Sequence, residues 1–77
     1  MKTYRFITFD KGILGGKPII KDTRISVDMI LEWIAGGATI DEISVTYKQL
    51  SKESIKEALH YAAEMAKNEI IIDSKVA

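Results

Sequence analysis

Apolar side chains recur at helical spacing in three stretches of this chain, each opened by a hydroxyl residue. Behind Ser26, a good N-cap, Val27, Ile30, Leu31 and Ile34 fall at i, i+3, i+4 and i+7. Asp28 stands in the first turn, where the helix dipole favours a carboxylate, and Gly36-Gly37 ends the helix. Thr39 with Glu42 three residues on is a capping-box pattern. It opens a second short helix through about Tyr47, with Ile40, Ile43 and Tyr47 along one stripe. Ser51 caps a third helix whose inward stripe is Ile55, Ala58, Leu59, Ala62, Ala63 and Ala66, mostly small residues that let the other helices approach closely.

The pattern changes at both ends. Tyr4 to Phe9 is aromatic and β-branched, which predicts a strand ending at the Asp10-Lys11-Gly12 turn. Gly15-Gly16 is a second turn signal, followed by a short extended piece from Lys17 to Lys21. Its Pro18 cannot donate to a ladder and so belongs on an edge. After Asn68, three β-branched residues in a row, Ile70, Ile71 and Ile72, predict strand rather than helix. The expected architecture is mainly α with a small β element. Residues 1–68 form a tri-helical helix-turn-helix domain that begins with an N-terminal strand or ribbon, and an extended tail follows over 69–77.

At 77 residues the chain holds one core and keeps much of its surface wet. It has no cysteine, so neither disulfides nor a Cys and His zinc cluster can staple it, and oligomerisation is the remaining common route to stability. A reducing, cytoplasmic setting fits the lack of cysteine and the lack of a signal-peptide pattern at the N-terminus, and apolar runs of only a few residues exclude a membrane span. The net charge of zero hides an asymmetry: residues 1–26 carry six cations against two carboxylates, a balance of +4, and residues 27–77 carry five against nine, a balance of −4. A polyanion is drawn to the first third and repelled by the rest.

In a helix-turn-helix reading, the third helix presents Lys52, Glu53, Ser54, Lys56 and Glu57 to a groove, with Lys52, Ser54 and Lys56 as the DNA contacts. No Arg, Asn or Gln stands in that turn for bidentate base contact, so a three-helix bundle that binds no DNA is the rival. Lys17, Lys21, Thr23 and Arg24 form the stronger phosphate-binding set, unless Arg24 is a structural fork to helix carbonyls or to Asp28. Glu53, Glu57, His60 and Glu64 share one stripe. Glu57 and His60 have the Glu-x-x-His spacing of di-metal bundles, but a solvated face explains the stripe without a metal or any cofactor.

For partners, Trp33 and Met29 lie four residues apart at the edge of the first helix's stripe, either as the rim of the core or as an interface. The Ile70, Ile71 and Ile72 segment must pair either with another chain or with the strand Tyr4 to Phe9. Ser26, Ser44, Ser51, Ser54 and Ser74 have no base in evident reach and there is no phosphate-binding glycine motif, so the chain reads as a binding module rather than an enzyme.

The run from Gly12 to Val27, with Gly15-Gly16-Lys17-Pro18 and Thr23-Arg24 at its centre, resembles a small prokaryotic family, domain of unknown function 433. The likeness continues through Ala35-Gly36-Gly37-Ala38-Thr39-Ile40-Asp41-Glu42-Ile43, Tyr47, Leu50, Ile55 and Ala58-Leu59-His60-Tyr61-Ala62-Ala63, and spans about Ile7 to Glu64. The resemblance implies a homeodomain-like or winged-helix-like fold. It also implies an antitoxin of a type II toxin-antitoxin system that blocks a PIN-like ribonuclease toxin and represses its own promoter DNA; with oligomerisation as the expected route to stability, the chain reads as a homodimer. Asp22 stands where that family usually has glycine, and Ser26 and Lys48 where it usually has proline.

Overall fold

A computed structural model of the chain describes residues 4–74, with side chains through residue 67. The elements are strand β1 (Ile7–Phe9), a single 3-10 turn (Leu14–Gly16), strand β2 (Pro18–Ile20), and helices α1 (Val27–Ala35), α2 (Ile40–Thr46) and α3 (Lys52–Ser74). The two strands pair antiparallel, with Ile7 opposite Ile20, Thr8 opposite Ile19 and Phe9 opposite Pro18. Both are edges, so Pro18 is tolerated. The hairpin turns where the Asp10 carboxylate accepts the Gly12 N–H at 2.8 Å and where Gly15 and Gly16 take φ of +67° and +86°, the left-handed region that glycine enters without a Cβ clash.

The helix ends follow local chemistry. Ser26 Oγ accepts the Met29 N–H at 3.2 Å. Gly37, at φ +108°, lets the chain leave α1 with its N–H on Ile34 O and the Ala38 N–H on Trp33 O, the paired bonds of a Schellman stop. Thr39 and Glu42 close both halves of a capping box on α2. Ser51 Oγ accepts the Ser54 N–H at 3.0 Å and opens α3.

α3 packs against α1, α2 and β1. The core gathers Ile7, Ile20, Ile25, Val27, Ile30, Ile43, Leu50, Ile55 and Ala58, with Ile30, Ile55 and Ala58 wholly sealed. Two expectations fail on α3. Leu59, Ala63 and Ala66, assigned to its inward stripe, do not join that core: Leu59 is half-buried and both alanines are exposed, because the last α3 residues packed on the core are Tyr61 and Ala62. The backbone of residues 69–74 is helical, not a strand, so the extended tail expected there is replaced by more α3. Isoleucine costs only a few tenths of a kcal/mol in a helix, no glycine or proline interrupts α3, and adding residues to a nucleated helix is far easier than starting a new element. The Ile70, Ile71 and Ile72 side chains, proposed as partner contacts, lie outside the described residues. Among the described residues no helix is long and apolar enough to cross a membrane.

Candidate nucleic-acid interface

The turn between β2 and α1 is built by one hydroxyl. Thr23 Oγ1 donates to Ile20 O at 2.8 Å and accepts the Ile25 N–H at 3.0 Å, while the Lys21 N–H reaches Phe6 O at 2.7 Å. Thr23 therefore holds the turn in shape instead of offering its hydroxyl to a phosphate. Asp22 at φ +65° adopts the left-handed backbone that glycine enters most easily, which gives a physical reason for the glycine expected at this position.

This turn sits beside the turn that joins α2 to α3. Two adjoining clefts share Lys21, Asp22, Thr23 and Gln49; one of about 650 Å³ adds Asp10 and Arg24, and one of about 440 Å³ adds Arg5 and Ser51. The fold thus brings Arg5, Lys21 and Arg24 to the mouth of the helix-turn-helix, against the carboxylates of Asp10 and Asp22. Lys21 and Arg24 are exposed and form no ion pair among the described residues. The alternative of a fork between Arg24 and Asp28 is not formed, because Asp28 faces Lys17 at 3.4 Å.

Other expected contacts separate from this cluster. Lys17 lies with Asp28, Leu31 and Tyr61 along a different cleft. The Ser26 side chain, opposed by slight desolvation, and then Lys17 hold the Asp28 carboxyl below the usual carboxylate range. Ser54 is only 2% exposed, and its hydroxyl donates to Ser51 O at 2.8 Å, so it cannot reach DNA. A serine three residues behind the cap finds that carbonyl locally, and its hydroxyl is held on the backbone. Lys52 pairs with Asp41 at 3.0 Å, and Lys56 stays exposed.

Glu57 has a role that the one-dimensional pattern does not show. Its carboxylate accepts the backbone N–H groups of both Arg5 and Phe6 and so clips the N-terminal segment to α3. Among the described residues no three acidic or histidine side chains converge as a metal site. Gln49, absent from the expected contacts, carries the amide that a base-reading role requires, and its place in the inter-helix turn was the available signal.

Trp33 and Met29 part company. Met29 is exposed on α1, whereas Trp33 stacks on Tyr47 with centroids 4.5 Å apart and planes at 4°.

A family model described as protein of unknown function (DUF433) matches residues 7–62. The chain belongs to the DUF433 family. Its three helices and short antiparallel pair are also similar to the crystal structure of a DUF433 member protein from Anabaena variabilis ATCC 29413. That likeness has 30% identity and a TM-score of 0.72, and covers 92% of this chain and 67% of that one. No curated protein matches this DUF433 chain.

Proposed function

We propose that this DUF433 chain is a cytoplasmic, DNA-binding regulator of antitoxin type, and not an enzyme. In this reading a homodimer occupies its own promoter DNA and regulates transcription, while a second surface binds and inhibits a PIN-like ribonuclease toxin. The observation that carries the DNA half is the meeting of Lys21, Arg24 and Arg5 with Gln49 beside the α2–α3 turn. Guanidinium and ammonium groups that form no ion pair among the described residues fit phosphates, and an amide at that turn fits a base edge. The residues proposed to meet DNA are therefore Arg5, Lys21, Arg24 and Gln49, with the exposed Lys56 beside Arg5 in a further cleft. Phe9 at 57% exposure and Met65 at 44% support self-association in so small a domain.

A second reading, a protein-binding module without DNA, is favoured by the first turn of α3. There Lys52 is neutralised by Asp41, Ser54 is buried and Glu53 is exposed. Co-expression with the product of the neighbouring open reading frame tests the toxin half: a stable complex with suppressed RNA cleavage is the expected result. A mobility-shift assay on the upstream DNA tests the other half. Binding weakened by salt and by Arg24→Ala is expected, and no shift at low salt leaves the second reading in its place.

A further inference from the structure

Residues 27–47 contain four carboxylates and neither lysine nor arginine. Two are matched, Asp28 by Lys17 and Asp41 by Lys52. The two that face no cation among the described residues, Glu32 and Glu42, line one groove of about 570 Å³ between the end of α1 and the body of α2. Trp33 and Tyr47 line it as a parallel aromatic stack. Gly36 and Gly37 keep one side low, and a Cβ built on Gly37 would meet nothing within 4 Å. The C-terminal end of α1 adds the negative end of its dipole.

We propose that this groove receives an arginine side chain from a protein partner. A guanidinium is flat, so it stacks on an aromatic face, and its fork of N–H donors reaches carboxylates on either side. Lysine meets the charge but not the stack, and a nucleic acid is repelled by the same carboxylates. The proposal deepens the protein-partner half of the function above, rests on that reading, and is independent of the DNA half.

Trp33 is the chain's single tryptophan, so its emission reports the groove directly. The test titrates the full chain with a blocked Ala-Arg-Ala peptide, with Ala-Lys-Ala and Ala-Glu-Ala as comparators. A saturable, salt-sensitive change in Trp33 emission is expected with the arginine peptide, weaker with lysine and absent with glutamate. Glu32→Gln with Glu42→Gln should lower the affinity about 5-fold, as expected for two exposed ion pairs. Gln at position 42 still closes the capping box, so circular dichroism should be unchanged. No saturation, an equal response to Ala-Glu-Ala, or an undiminished response in the double variant would overturn the proposal. Emission that changes with protein concentration alone, and ceases to in Arg24→Ala, would overturn the choice of occupant in favour of a second copy of the chain. DNA binding and toxin capture are read separately, so their failure and the failure of the groove are distinguishable.

Discussion

Replacing Glu57 by alanine removes the acceptor for two backbone N–H groups at once, those of Arg5 and Phe6, and so releases the segment leading into β1 from α3. Hydrogen bonds to a charged group contribute about 1.5–3 kcal/mol each. The Arg5 bond, at 3.2 Å and exposed, is largely replaced by water on mutation. The Phe6 bond is partly buried and its loss leaves a donor poorly hydrated. The expected cost is about 2–3 kcal/mol, which in a domain of this size lowers Tm by about 10–20 °C. Glu57→Gln keeps one good acceptor and should lose about half as much. His60→Ala, on the exposed face three residues on, should change stability by less than about 0.5 kcal/mol. Thermal and urea unfolding followed by circular dichroism measure all three. Equal effects for Glu57→Ala and His60→Ala, or a Glu57→Ala cost below about 0.5 kcal/mol, would refute the clip.

Two further outcomes are expected. Asp22→Gly relieves a left-handed backbone but adds chain entropy to the unfolded state, so stability should shift by less than about 1 kcal/mol. Removal of the carboxylate between Lys21 and Arg24 should nevertheless raise DNA affinity about 5-fold at low salt, and unchanged affinity in an anisotropy titration would count against the interface. Because the folded Asp28 carboxyl lies below its ordinary value of 3.8, its contribution is present above that value and lost as pH falls through the folded one. Urea midpoints of wild type and Asp28→Asn should therefore keep a constant gap above about pH 5 and converge in stronger acid; a gap that widens on acidification would contradict this.

The helix boundaries were legible because capping is local. Ser26, Thr39 with Glu42, Gly36-Gly37 and Ser51 act on groups within five residues, and each does in space what its spacing implies. The β-branched run at 70–72 misled because propensity is weak beside the cooperativity of a helix already running from Lys52. Side-chain roles were harder to read. Thr23 and Ser54 look like free hydroxyls in sequence but spend them on neighbouring backbone. Glu57 reaches its partners across more than 50 residues, and the Trp33–Tyr47 stack joins two helices, so neither leaves a local mark. The cationic set was half visible: Lys21 and Arg24 remain together, Lys17 departs to Asp28, and Arg5 and Gln49 join through the fold.

The most direct test of the account is the salt dependence of binding to a fluorescent duplex from upstream of the gene, for the wild type and for Lys21→Ala with Arg24→Ala. The wild-type affinity should fall linearly on logarithmic axes, and the double variant should bind more weakly with a slope shallower by about two, one unit for each phosphate left unneutralised. An identical slope in the double variant, or no wild-type binding at about 50 mM salt, would contradict the claim that this turn is a nucleic-acid surface.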